Sequence, residues 1–281
     1  MIKSIFDSYG TPILVTVFIV VFLLESKFQL RKRVQSRWKR MFINFIVSIP
    51  AFALLRLLFI PAVVWMASKN QSWHVGLNYL YNAPALVKCA IAFILLDYSN
   101  YLWHILLHKL PILWRFHLVH HTDLDLDITT AFRFHFGELI GSVIFRGAAV
   151  VLIGASPLMV LIYEIAFEAA TQFHHSNTRL PFKLEKVLNY LIVTPRMHGI
   201  HHSMIKSETD SNYSIIFSFW DRVHKTVRLN IHQNEIVTGV PSYADERELT
   251  IGNLLQLPFR KIHTWDYNER QTDGAKNKLK E

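Results

Sequence analysis

Residues 85–121 read ALVKCAIAFILLDYSNYLWHILLHKLPILWRFHLVHH. Ala85 to Leu107 is apolar for long enough to cross a bilayer as a helix, which takes about 20 residues. Within that run Asp97, Tyr101, His104 and His108 recur at spacings of three and four, so on a helix they share one face. A Leu110-Pro111 break follows, and then His117-x-x-His120-His121. A membrane helix that carries two histidines to its end and delivers three more just beyond it predicts a helical membrane protein with a metal-binding end.

The flanks fit the same reading. Thr11 to Leu24 is almost unbroken apolar sequence and predicts a first transmembrane helix; Glu25-Ser26-Lys27 after it offers no small-residue cleavage site, so a retained anchor is expected and not a signal peptide. Met41 to Met66 predicts a second helix, kinked or tilted where Pro50, Arg56 and Pro61 interrupt it. Lys27, Arg31, Lys32, Arg33, Arg37, Lys39 and Arg40 crowd the link between these two, whereas the next connection, Ser68 to Pro84, carries only Lys69. By the positive-inside rule the first link is cytoplasmic and the second lies on the far side. Leu139 to Phe173 is broken by Gly154-Ala155-Ser156-Pro157 and predicts a hairpin that enters the bilayer and returns His174 and His175 to the histidine side. From Asn177 onward the sequence is mixed and polar, expected to pack beneath the helices, with a frayed tail from Asn268.

Composition narrows the chemistry. Fifteen histidines stand against one cysteine, Cys89, in an apolar run, which excludes an internal disulfide, a thiolate zinc site and a cysteine-ligated iron–sulfur cluster. The net charge of +9 fits anionic lipid, because the basic residues sit where topology wants them and no base-reading motif appears; nucleic acid is not an expected partner. His198-x-x-His201-His202 repeats the spelling of the second box, and Gln172-Phe173-His174-His175 adds one or two imidazoles. In each box, i and i+3 are expected to share a helix face while the neighbouring ring points about 100° away, letting one short helix serve two metals. Imidazole alone does not name the metal, but the His-Glu-x-x-His of a hydrolytic zinc site is absent.

Asp97, Tyr101, His104, His108, Leu113-Trp114-Arg115-Phe116-His117, His120-His121, Arg133-Phe134-His135, His175-Ser176-Asn177, Pro195-Arg196-Met197-His198, His201-His202, Asn212-Tyr213 and Trp220-Asp221 together resemble the fatty acid hydroxylase/sterol desaturase superfamily. The resemblance spans roughly residues 96–226. It implies a membrane-bound di-iron oxidoreductase, with sites that zinc can fill, taking dioxygen and external electrons to hydroxylate or desaturate a lipid, whether fatty acyl, sterol or alkyl-lipid. It assigns His104, His108, His117, His120, His121, His198, His201 and His202 as ligands, with His174 or His175 completing the set, His175 favoured. Asp97, Asn212 and Asp221 are expected outside the ligands, Asp97 fixing an imidazole tautomer. Two departures stand out: Phe136 replaces the family's proline, which leaves His135 structural or outside the ligand set, and Val223-His224-Lys225-Thr226 replaces Phe-Gly-Thr.

The expected architecture is an all-α integral membrane bundle of about four transmembrane helices, including the hairpin, with a cytoplasmic histidine-rich helical cap. Residues 1–84 form N-terminal helices and loops, 85–230 the catalytic domain and 231–281 a C-terminal cytoplasmic extension. The expected location is a bacterial inner membrane. The chain carries no Gly-rich dinucleotide fingerprint, cysteine cluster or haem domain, so a ferredoxin or cytochrome with its reductase is the implied donor. Asp123, Asp125 and Asp127 read either as contacts to the ligands or as a solvated acidic loop. Trp38, Trp65, Trp73, Trp103 and Trp114 read as interfacial anchors, and His74, His224, His232 and His263 as surface or capping residues. The rivals are an acyl-CoA desaturase, which opens with a wider first box, and a non-catalytic metal-binding or metal-transport membrane protein, which places ligands at the bilayer midplane.

Overall fold

The computed structural model describes residues 6–265 and is helical throughout, with isolated β-bridges but no strand among the described residues. The tail expected to fray from Asn268 lies outside the described residues. The principal helices are α1 (Thr11–Lys27), α2 (Arg37–Leu54), α3 (Ile60–Trp73), α4 (Ala85–Lys109), α5 (Pro111–His121), α6 (Phe136–Ile153), α7 (Pro157–His175), α8 (Phe182–Leu188) and α9 (Pro195–His201). Four segments are long and apolar enough to span a bilayer: Ser8–Lys27, Arg37–Tyr79, Ala85–Lys109 and Phe136–Ile153. Their outward faces carry Ile19, Leu23, Leu57, Leu86, Ile144 and Leu152, all exposed. A belt of that kind is what hydrocarbon solvates and water does not.

Pro61 has no N–H to return and its ring crowds the preceding turn, so the chain widens to a π-turn at Leu55–Phe59 between α2 and α3; of the expected interruptions Arg56 lies in this turn and Pro61 just after it, while Pro50 lies within α2. The expected loop from Ser68 is instead helix as far as Trp73. Nothing in Ser68-Lys69-Asn70-Gln71-Ser72 breaks a helix, and Asn70 Nδ2 donates to the Val150 carbonyl of α6 at 2.8 Å. The helix stops at His74, which adopts the left-handed conformation with φ 55°. The hairpin turns at Gly154, φ 72°, packed so closely on Gly76 that a Cβ on Gly76 would lie 2.3 Å from the Gly154 nitrogen.

A first apolar core joins α3, α4, α6 and α7 through Phe59, Val63, Leu96, Val150, Val160 and Tyr163. A second lies under the histidine boxes, where Val47 of α2 and Leu118 and Val119 of α5 meet Tyr243, Leu249 and Leu254.

Between the two halves lies a buried polar core that corrects the reading of the basic run. Arg40, 3% exposed, donates from Nε and Nη2 to the two Asp123 oxygens at 2.8 Å each and from Nη1 to Asp127 at 2.7 Å. Asp125 accepts from the Val34 and Gln35 amides. Arg37 pairs at 2.6 Å with Glu25, itself wholly buried and holding the Ile128 and Asn177 amides. The aspartates are therefore neither a solvated loop nor bound to imidazole, and of the basic segment Arg40 is buried and Arg31, Arg33 and Arg37 half-buried while Lys27, Lys32 and Lys39 are exposed; alternation in sequence could not reveal partners about 85 residues away. Burial opposes the Asp123 carboxylate, but Arg40 and Arg133 beside it outweigh that and pull its pKa down to about 2.

Candidate metal centre

The second box sits on α5, which Pro111 opens, since proline is well placed in a first turn. The third sits on α9, capped by the Thr194 side chain, which accepts from Met197 N. Gly199 of α9 faces Arg31 so closely that a Cβ would lie 2.3 Å from the guanidinium, whose Nη1 donates to the Pro195 carbonyl and to Gln233. The last turns of α4 and α7 bring His104, His108, His174 and His175 to the same level.

The rings gather into two groups. His104, His108, His117, His121 and His201 form one, and His120, His175, His198 and His202 the other; in each, one ring nitrogen per residue lies within 4.8 Å of all the rest, and every member is buried. In both boxes the pair that shares a group is i and i+4, His117 with His121 and His198 with His202, while the ring between them, His120 or His201, serves the other group. This corrects the expected i, i+3 pairing: four residues overshoot one turn by only about 40°, three fall short by about 60°. His174 lies outside both groups, although its ring centroid is 4.2 Å from that of His198.

Several tautomers are set by oxygen acceptors. Nδ1 donates to Tyr213 O from His104 at 2.8 Å, to Ser211 O from His201 at 2.7 Å, to Thr171 O from His175 at 2.8 Å and to the Glu138 carboxylate from His117 at 3.1 Å. The Nε2 atoms of these rings are left as lone pairs. That of His175 nevertheless faces His120 Nε2 at 3.0 Å and His198 Nε2 at 2.9 Å, and that of His117 faces His121 Nε2 at 3.2 Å. A cation between them would let every one of these nitrogens present a lone pair inward, with the Nδ1 atoms of His120, His121 and His198 carrying the protons. Two nitrogens about 2.1 Å from one ion lie about 3.0 Å apart at a right angle and ~3.4 Å apart at a tetrahedral one, so these spacings suit the edges of a coordination shell. The buried nitrogens His104 Nε2, His201 Nε2 and both of His108 lack hydrogen-bond partners, as unfilled ligands do. The donor sets fit two metal ions.

Burial first, and then neighbouring imidazoles, hold His120, His121, His198, His201 and His202 well below the ordinary histidine range, so these rings are neutral and able to ligate at pH 7. The unfolded chain takes up protons near pH 6.5 while the folded chain resists them, so acid favours unfolding. Each such ring adds to the stability lost as pH falls below the ordinary histidine range. The metal-free protein is therefore expected to melt sharply lower, or to be unfolded, at pH 5 compared with pH 7.5; a flat melting temperature across that range in a circular-dichroism scan would contradict neutral buried rings.

The other expected site residues sort by what they touch. Asp97 accepts from Trp220 Nε1 at 2.9 Å, from the Ile216 and Phe217 amides and from Tyr163; none of these is an imidazole, so it pins the chain beyond the third box and does not fix a tautomer. Asp221 accepts from the Tyr213 and Ser214 amides at 2.8 and 2.9 Å and so holds the turn whose carbonyl receives His104. Asn212, at φ 55°, bridges the Met197 and Arg228 backbones. His135 caps α6 by accepting from Gly137 N, and its other nitrogen meets Leu255 O. Glu138 is the contact sequence reading missed; its only signal is a carboxylate in the first turn of an apolar helix. Trp103 is 8% exposed, and Trp114 lies 5.0 Å from His108 and 5.4 Å from His121 between ring centroids, so these two are packing residues, unlike the exposed Trp38, Trp65 and Trp73.

An apolar cavity reaches the histidines. Ala51, Phe52 and Leu55 of α2 and the π-turn, Trp103 and Leu107 of α4, Leu139 of α6 and Phe167 of α7 wall it, and His104, His117, His120, His174, His175 and His198 line it as well.

The family model for fatty acid hydroxylases matches residues 89–226, the stretch that holds every histidine of both groups. Over that stretch, 138 of the 281 residues, the chain is similar to the fatty acid hydroxylase/sterol desaturase superfamily. Among curated relatives, alkylglycerol monooxygenase of Danio rerio is 29% identical over 67% of this chain and 40% of its own length. Ornithine lipid hydroxylase OlsE of Rhizobium tropici is 28% identical over 50% of this chain and 41% of its own. Cholesterol 25-hydroxylase of Rattus norvegicus is 26% identical over 56% and 52%. The chain thus matches about half or less of the length of these relatives. No solved structure matches it significantly.

Proposed function

We propose that this chain is a membrane-bound lipid hydroxylase that holds two irons in its two histidine groups and consumes dioxygen. The observation that carries the reading is the apolar cavity meeting six buried histidines, five of them members of the two groups. The named activities of three relatives, each acting on a lipid, support the same substrate class.

Bound there, two irons would supply the activation of dioxygen that attack on a lipid C–H bond requires and that side-chain acids, bases and nucleophiles do not offer. The chain does the rest. The carbonyls of Tyr213, Ser211 and Thr171 and the Glu138 carboxylate hold four rings with Nε2 presented inward. Phe52, Leu55, Leu139 and Phe167 exclude water from the attacked carbon and align the chain that bears it. The balance is one lipid C–H, one dioxygen, two electrons and two protons giving one lipid alcohol and one water. An external ferredoxin or cytochrome with its reductase delivers the electrons. The exposed Lys27, Lys32 and Lys39 of the link between α1 and α2 support a cytoplasmic histidine side.

The test is lipid profiling under ¹⁸O₂ of cells expressing the chain against cells expressing His201→Ala. A lipid that gains one labelled oxygen only with the unaltered chain is expected. Loss of two hydrogens without oxygen would make the enzyme a desaturase, and no difference alongside tightly bound zinc would favour a metal-binding protein.

A further inference from the structure

The cavity that meets the histidines does not end in hydrocarbon. Away from them its walls carry Ser142 and Arg146 of α6 and Glu168 of α7. Arg146 is 7% exposed; its guanidinium lies 4.7 Å from the ring centroids of both Phe59 and Phe167 and donates to Glu164 at 2.5 Å. Glu168 stands one turn from Glu164 and forms no hydrogen bond or ion pair among the described residues, yet it lines the cavity. An ionisable side chain at membrane depth needs a partner, and a plain hydrocarbon tail supplies none. A carboxylate ligand would face two glutamates, while an ammonium could not accept from Arg146. A hydroxyl can donate to Glu168 and accept from Arg146 together.

We propose that Glu168 and Arg146 form a polar subsite in the part of the cavity away from the histidines that binds the hydroxyl of a lipid alcohol and thereby selects the carbon presented to them. Glu168 lies seven residues before His175 on α7, about 10 Å along the axis. With ~1.25 Å of advance per bond in a zigzag of 1.5 Å bonds, the attacked carbon sits roughly eight bonds from the hydroxyl. That the cavity is a substrate pocket rests on the lipid-hydroxylase reading; the alcohol subsite needs no turnover to be observed.

The test is equilibrium binding of tritiated hexadecan-1-ol and tritiated hexadecane to the purified full chain in detergent. The unaltered protein is expected to prefer the alcohol by about tenfold or more, as one hydrogen bond to a charged group gives. Glu168→Leu is expected to bring that ratio near one and to leave hexadecane affinity and metal content in place. In the unaltered protein 1-methoxyhexadecane, whose oxygen can accept from Arg146 but has no proton for Glu168, is expected to bind more weakly than the alcohol, a measurement that stands even if the variant does not fold. Equal affinity for alcohol and alkane, an ether bound as tightly as the alcohol, or a preference that survives in Glu168→Leu overturns the proposal. An alcohol preference in a chain that hydroxylates no lipid overturns the activity and leaves the subsite standing.

Discussion

Replacing His175 with alanine is expected to reduce bound metal from two ions per chain to one and to lower lipid hydroxylation by more than the ten- to hundredfold lost when a mere outer partner of a ligand is removed. His174→Ala, one residue away on the same helix end, is expected to keep both metals. The distinction comes from geometry: His175 presents Nε2 to His120 and His198 at 3.0 and 2.9 Å, whereas His174 belongs to neither group. Metal analysis of the two purified variants decides it. Loss of one metal in His174→Ala with two retained in His175→Ala would reverse the assignment.

The second large effect is structural. Arg40→Ala leaves Asp123 and Asp127 buried without their shared cation; removing one partner from a buried ion pair costs about 3–5 kcal/mol. Asp123, held at about 2 by its neighbours, is then left with Arg133 as the remaining cation to offset its burial. Because Arg133 of the same polar core donates to the Val119 carbonyl on α5, the loss reaches the helix that carries the second box. The variant is expected to melt far lower and to lose metal along with fold. Lys39→Ala, whose exposed pair with Glu246 is worth about 1 kcal/mol or less, serves as the comparison. Equal melting temperatures would show the buried core to be dispensable.

These contrasts mark where sequence reading reached. The boxes, the hairpin at Gly154 and the kink near Pro61 were legible because each is local: helical spacing, a turn tetrapeptide and a missing N–H act within a few residues. The order of ligands within a box was not, since three and four residues both return to the same helix face and only the facing helix chooses between them. The partners of Arg40 and of Asp97 were also hidden: Asp97 shares a helix face with His104 and His108, yet its hydrogen bonds go to Trp220 and to the amides of Ile216 and Phe217. A buried charge states that it needs a partner and leaves the partner to the fold. Glu138 went unremarked beside Leu139 for the same reason; it becomes meaningful once α6 starts beneath His117.

The most direct test of the account is an anomalous-difference map at the iron edge from crystals of iron-loaded protein. Two peaks are expected, one among His104, His108, His117, His121 and His201 and the other among His120, His175, His198 and His202. A single peak, or metal bound away from both groups, would contradict it.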